Sequence, residues 1–290
     1  MGPERYGRPG MEICAGGVEV EWNPGFRGCV CRSPAVHVCD QIVCSLVLYD
    51  SLGSTYAASR KPDPRISASL HRALSASGLI VNVGAGTGSY EPSGRDVIAI
   101  EPSAVMINQR SARKAPAIQA KAEQLPLRDA CASASMAILT VHHWSSLERG
   151  LEEMIRVARE RIVLLTWDPA GPDFWLTMDY FPALVERDRR RFPALDTLRR
   201  ILGRTVVKDV PVPWDCVDGF LGAYWRRPER YLDPVARSGM SGFSELIGLE
   251  DGVKRLKSDL ESGLWNQRYE RLGMMESIDL GYRLVIAETH

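Results

Sequence analysis

The chain has no run of apolar residues approaching the roughly 20 needed to span a membrane. Its N-terminus also lacks the charged start and apolar core of a signal peptide. It has no surplus of either charge, since Lys plus Arg and Asp plus Glu number 36 each. Broad nucleic-acid binding draws on a basic excess and is therefore disfavoured, no membrane partner is expected, and the expected compartment is the cytoplasm. The cysteine pattern of a disulfide or zinc framework is absent as well. Of seven cysteines, Cys29, Cys31, Cys39 and Cys44 cluster around His37, at spacings that fit the paired ligands of structural zinc poorly. Reduced thiols and no metal are expected there, while Cys131 and Cys216 read as small core or lining residues. The arginine run from Arg187 to Arg191 is broken by Asp188 and preceded by Glu186, and so reads as a solvated helix face.

What the chain does have is an ordinary globular composition, 45% hydrophobic and 25% charged over 290 residues. That length suits one large domain or one domain with an insertion. Its centre of organisation is the stretch from Leu79 to Ser103. An apolar run, Leu79 to Val83, feeds three alternate glycines, Gly84, Gly86 and Gly88. A second apolar run, Val97 to Ile100, ends on Glu101. Glycines let the backbone pass close under a ligand with φ > 0. A carboxylate at the next strand's tip offers two acceptor oxygens to a ribose. The pattern predicts a nucleoside-binding edge.

Around that edge, residues 1–45 show no sustained period and are predicted to form an appended extension. Asp63 caps a predicted helix opening on Pro64 and closing near Gly78. A helix follows Ser103 to about Arg113, and a short strand covers residues 116–120. The uncharged run from Ala134 to Val141 reads as a buried parallel strand. Ser146 caps a helix to about Arg159, and Ile162 to Thr166 is the fifth strand. Residues 46–170 thus form the expected core. Residues 171–290 carry helical segments, a strand from Thr205 to Val212 and a last strand from Gly281 to Glu288. Alternation of this kind predicts a parallel sheet covered on both faces.

A dinucleotide edge wants Gly-x-Gly-x-x-Gly with a helix N-terminus cradling a pyrophosphate. Here the glycines are one residue tighter, and Tyr90 and Glu91 at the expected helix start are poor neighbours for a pyrophosphate. A nucleoside without phosphate, S-adenosylmethionine, suits the edge better.

Residues 46–168 resemble the class I S-adenosylmethionine-dependent methyltransferases, in particular the subgroup that methylates ubiquinone precursors and many small molecules. The resemblance rests on Val83 to Gly88, Glu101, Ala122-Glu123-Gln124-Leu125-Pro126, Val141 to Trp144, and Arg156 to Thr166. It implies a Rossmann-like α/β sandwich: a seven-stranded, mostly parallel sheet with helices on both faces and a helical insertion after the fifth strand. It also implies S-adenosylmethionine as methyl donor, S-adenosylhomocysteine as product, and a small-molecule acceptor methylated on O, N or C. A homo-oligomer is compatible with it. The sequence departs from the family where Asn82 stands in place of a common acid. That departure and the extension keep a second reading open, a non-catalytic S-adenosylmethionine-binding module acting as a sensor or partner.

The cofactor residues implied are Gly84, Ala85, Gly86, Gly88, Glu101, Pro102, Ala122, Glu123 and Val141. Tyr49, Tyr56 and Arg60 resemble the family's N-terminal lid, although an exposed amphipathic helix accounts for them equally. His142 and His143 lie at a strand's C-terminal end, where ligands bind in open α/β sheets, and an imidazole serves as a base near neutral pH. His143 is favoured as the group facing substrate. Trp144 has two readings, pocket wall and core packing, and Asp168 either lines the site or caps the next turn. The aromatic block containing Trp214, Asp215 and Tyr224 reads as a substrate wall for a flat or apolar acceptor, or else as a packed insertion.

Overall fold

The computed structural model describes residues 60–244 and 246–289. The extension over 1–45, with its cysteines, and the proposed lid residues Tyr49 and Tyr56 lie outside the described residues.

Nine strands are described: β1 (Ile80–Val83), β2 (Val97–Ile100), β3 (Ala117–Ile118), β4 (Ala132–Ile138), β5 (Ala158–Trp167), β6 (Thr205–Asp209), β7 (Val212–Pro213), β8 (Ser277–Ile278) and β9 (Tyr282–Glu288). Seven of them form one sheet in the order β3-β2-β1-β4-β5-β9-β6, and β7 pairs with β8 separately. The pairs from β3 through β5 are parallel, whereas β9 runs antiparallel to both β5 and β6. The chain reverses direction across β1, with β2 on one side and β4 on the other. In open α/β sheets a ligand crevice forms outside the carboxyl ends of the strands at such a point.

Strand alternation divides the core between the two faces. Ile162 and Leu164 of β5 join a cluster with Val81, Val83 and Ile100. That face is covered by helices α3 (Leu147–Val157) and α5 (Leu195–Leu202). Val163 and Leu165 join the opposite cluster with Ile80 and Met136, under α1 (Pro64–Ala73) and the segments after β5. Helix α1 begins as its sequence dictates. Pro64 occupies the first turn, and Asp63, fully buried, accepts hydrogen bonds from the backbone N–H groups of Arg65 (3.0 Å) and Val217 (3.2 Å). Burial opposes ionisation of Asp63, but those donors and the Arg65 guanidinium bring its pKa down to about 2.

The main departure from the expected elements lies between β1 and β2. No helix starts at Ser89, and residues 84–96 cross over as turns and bends. Pro92 and Gly94, which has φ of +78°, interrupt any helix there. The buried ring of Tyr90 packs into the core in its place. Helix α2 (Ala104–Asn108) is shorter than predicted, and the run expected to end as strand at Val141 turns at Val141–His143 into one 3-10 turn. After β5, a π-helical turn at Leu176–Tyr180 leads into α4 (Pro182–Arg191). Helices α6 (Pro234–Ser238), α7 (Leu249–Glu261) and α8 (Leu264–Arg268) complete the insertion before β8.

Candidate active site

Two adjoining features occupy the C-terminal edge of the sheet. The first is the glycine turn after β1, where Gly84, Gly86 and Gly88 have φ of +67°, +52° and +85°. A side chain at Gly84 would collide with Thr140, so the turn lies directly against the segment leaving β4. Glu101 at the tip of β2 is 7% exposed. It accepts hydrogen bonds from the N–H of Gly86 on one oxygen (2.8 Å) and from the N–H of Ser103 on the other (3.0 Å). Burial raises the pKa of Glu101, against the lowering effect of these two N–H groups and of Arg110. Pro102 follows it, and Ser103 caps α2.

Beneath the turn lies a polar cluster that the sequence did not announce. Asn82 Nδ2 donates to Glu91 Oε1 (3.1 Å), and Arg110 Nη2 donates to both Glu91 oxygens (2.7 and 2.9 Å). Arg110 Nη1 donates to the carbonyl of Gly86 (2.9 Å). The Arg110–Glu91 pair is almost fully buried. The acid missing at Asn82 is therefore supplied by Glu91, carried there by the short crossover. Restoring an acid at 82 sets two carboxylates against one arginine in a buried site. We expect Asn82→Asp to lower stability by about 2 kcal/mol or more in urea unfolding. Unchanged or higher stability would show that Arg110 serves both acids.

The residues present suit S-adenosylmethionine. The glycine turn takes the positive φ that lets backbone, rather than side chains, face a ligand. Each Glu101 oxygen keeps a lone pair for a ribose hydroxyl. The buried Oδ1 of Asn82 has no hydrogen-bond partner, as an acceptor awaiting a ligand's ammonium would. Ala122 is buried, and so is Val141, at the start of the 3-10 turn. Glu123 is occupied elsewhere. Its Oε1 accepts from Ser145 N–H and Oγ (2.6 and 2.7 Å) and from Ser146 N–H (3.1 Å), holding the start of α3.

The second feature is a cavity of about 1030 Å³, open solvent at its mouth included. The end of β4 and the 3-10 turn supply Leu139, His142 and His143. Leu139 has φ of +50°, a left-handed backbone that a branched side chain rarely adopts and that concentrates at functional sites. Trp167 and Tyr282 come from β5 and β9, Thr177 and Phe192 from the π-turn and the end of α4, and Phe220 from the aromatic block. His142 stacks on Phe192 with ring centres 3.7 Å apart, and Trp167 meets Phe192 edge-on at 5.5 Å.

His143 Nδ1 lies 3.1 Å from Arg191 Nη2. Both histidines are half-buried and line the cavity. Burial, then the Arg191 and Arg187 cations, lowers the pKa of His143 to about 3; burial and His143 push His142 well below its ordinary value. Unfolded imidazoles take up a proton near pH 6.5, and the folded His143 only near pH 3. Its contribution to stability is therefore complete above about pH 6.5 and falls as the pH drops toward 3. Glu101 and Asp188, whose pKa values burial raises, act in the opposite sense. A comparison at one site isolates the histidine. Between pH 7 and pH 5, the wild type should lose up to about 2 kcal/mol more in urea unfolding than His143→Asn, which keeps an acceptor for Arg191 but does not titrate.

Of the other sequence candidates, Arg60 lines the cavity and is held by Asp218 (2.8 Å). The structure does not bring Trp144, Asp168, Trp214, Asp215 or Tyr224 to it. Trp144 packs against Gly150 of α3, where any larger residue would strike its ring. Asp168 Oδ1 caps the turn after β5 by accepting from Ala170 N–H (3.0 Å). Asp215 pairs with Arg65 at the surface, the exposed Trp214 ring lies under Arg226, and Tyr224 is buried beneath Arg227 and Arg230. The same block reaches the cavity through Phe220, Leu221 and Gly222 instead. Cys216 is buried in the core, its thiol pushed up to about 12 by burial. Among the described residues, no helix is long and apolar enough to cross a membrane.

Comparison with known proteins places this geometry in a family. A family model described as a methyltransferase domain matches residues 81–165. A putative methyltransferase from an antibiotic biosynthesis pathway of Anabaena variabilis ATCC 29413 has a similar structure, with a TM-score of 0.75 and 36% identity, covering 79% of this chain and 98% of that one. The tRNA (carboxymethyluridine(34)-5-O)-methyltransferase ALKBH8 of Mus musculus is 27% identical over 115 residues, a match that spans 39% of this chain and 17% of that protein. With likeness in sequence and structure running over nearly the whole length of the Anabaena protein, the chain belongs to the class I S-adenosylmethionine-dependent methyltransferases.

Proposed function

We propose that the chain methylates a small molecule held in the cavity beside the glycine turn. The observation that carries this reading is the contact between the two features. Gly84 of the cofactor turn packs on Thr140, and the 3-10 turn that follows places His142 and His143 on the cavity wall. A donor over the glycines is thereby set beside a cavity whose wall combines aromatic and charged side chains.

When bound, S-adenosylmethionine supplies an electrophilic methyl group on a sulfonium. The chain's own part is to bind and orient. Glu101 accepts from the ribose hydroxyls, the Gly84–Gly88 turn with Ala85 supports the amino-acid end, and Pro102, Ala122 and Val141 bound the nucleoside. Trp167, Phe192 and Phe220 exclude water and hold a flat or apolar acceptor in line with the methyl group. His143 is a poor general base in this setting. An arginine cannot accept a hydrogen bond, so the contact with Arg191 makes Nδ1 the acceptor and leaves the proton on Nε2. His143 then acts as a neutral donor that steadies an electronegative atom of the acceptor. This revises the role expected of His143 while keeping it at the site.

The test is incubation of the protein with methyl-labelled S-adenosylmethionine and a small-molecule extract, followed by size separation. Label in the small-molecule fraction, lost in Glu101→Gln, is the expected result. Label confined to protein or nucleic acid overturns the reading.

A further inference from the structure

Four arginines line the cavity, and three of them face a carboxylate at short range. Arg60 is paired with Asp218, Arg187 with Asp188 (3.1 Å), and Arg189 with Asp173 (3.2 Å). Arg191 differs. Among the described residues its side chain's hydrogen-bond partner is an uncharged imidazole nitrogen of His143. The nearest acid on its own helix, Asp188, is already engaged by Arg187 through two hydrogen bonds (3.3 and 3.1 Å). Arg187 is further fixed by the carbonyls of Gly242 and Ser244, so it cannot turn to serve another anion without losing three partners. A guanidinium never gives up its proton at physiological pH, and a partly buried cation beside a neutral ring is costly unless an anion arrives to meet it.

The geometry points to Arg191 as the docking point for an anionic oxygen group on the methyl acceptor, a carboxylate or a phosphate. This rests on the reading that the acceptor is a small molecule bound in this cavity. Two features converge on it. Arg191 offers planar N–H donors suited to an oxyanion. Phe192, next to Arg191 in sequence and stacked on His142, gives the rest of the ligand an apolar wall. The facing charges are those named above: Arg187 and Asp188 on the same helix, Asp173 and Arg189 at the rim, and Arg60 across the cavity. Burial raises the pKa of Asp188 and lowers those of His142 and His143.

The experiment is a calorimetric titration of the full-length protein, saturated with S-adenosylhomocysteine, by benzoate, phenyl phosphate and the neutral isostere benzamide. We expect at least one of the two anions to bind about tenfold or more tightly than benzamide. Arg191→Met should erase that preference and Arg191→Lys should retain most of it, with S-adenosylhomocysteine affinity equal in all three proteins. Whichever anion binds better identifies the group. Nitrogen NMR of the imidazoles should show His143 as the Nε2–H tautomer in the wild type. Equal binding of anions and benzamide, no binding of either anion, a preference that survives Arg191→Met, or His143 carrying its proton on Nδ1 each overturns the inference. If Arg191→Met fails to fold, the wild-type affinity ratio and tautomer still decide. No turnover is required, so a failure of the labelling test and a failure here are separate results.

Discussion

Replacing Glu101 by glutamine should weaken S-adenosylhomocysteine binding by about 100-fold while leaving the protein folded. The magnitude follows from the number of contacts that one side chain serves. Glu101 takes the N–H of Gly86 on one oxygen and that of Ser103 on the other, so it fixes both the glycine turn and the start of α2. Its remaining lone pairs are those available to a ribose. Glutamine keeps one acceptor oxygen but sets an NH₂ group where the other stood, opposing a backbone N–H and leaving one hydroxyl without an acceptor. Losing a charge-assisted hydrogen bond and stranding a buried donor together cost roughly 3 kcal/mol, which corresponds to about 100-fold in affinity. Folding suffers less, because burial already penalises the charged form of Glu101 and the neutral amide escapes that penalty. Calorimetry with S-adenosylhomocysteine, alongside a thermal melt, separates the two effects. Affinity within a few-fold of the wild type would remove Glu101 from the cofactor site.

The glycine turn and Glu101 were legible because their chemistry is local. Consecutive residues set positive φ, strand direction and the placing of an acid at a strand tip. The parallel arrangement of the central strands followed from alternation, and helix starts at Pro64 and Leu147 from Asp63 and Ser146. The β1–β2 crossover was misread because a strand–turn–helix expectation outweighed Pro92 and Gly94, two breakers in what would be its second turn. The substrate wall was hidden for a different reason. Aromatic density around Trp214 and Tyr224 reports that these residues are buried or stacked, and carries no information on which of them faces a cavity. The arginine run at 187–191 shows the same limit. Its alternation with Asp188 reads as a solvated face, yet Arg187, Asp188 and Arg191 turn inward because the π-turn before α4 and the Gly242 segment close over them. Glu91 could have been found by asking what would compensate Asn82, but its partner Arg110 comes from beyond β2, and only folding brings the three together.

Removing the carboxylate of Asp218, as in Asp218→Ala, should cost about 3–5 kcal/mol of stability, more than the Asn82 and His143 substitutions. Asp218 is fully buried and sits where three segments meet. Arg60 Nε donates to Oδ1 (2.8 Å), the N–H of Gly219 donates to the same oxygen (2.7 Å), and the Tyr90 hydroxyl donates to Oδ2 (2.7 Å). Burial and the nearby carboxylate raise the pKa of Tyr90, so its hydroxyl remains a donor throughout the physiological range. Alanine would take the Asp218 carboxylate from a guanidinium that is itself 10% exposed and from the buried phenol that donates to it. Against a total stability of roughly 5–15 kcal/mol, that loss is a large share. Urea unfolding measures it, and the double variant with Arg60→Met should recover part of it, because that guanidinium is then gone. The consequence for catalysis follows from position. Tyr90 occupies the crossover that replaces a helix behind the glycine turn, and Arg60 lines the acceptor cavity, so one carboxylate ties the donor side of the site to the acceptor side. A stability loss under about 1 kcal/mol would mean that Arg60 and Tyr90 find other partners, and that the two halves of the site are held in register by packing alone.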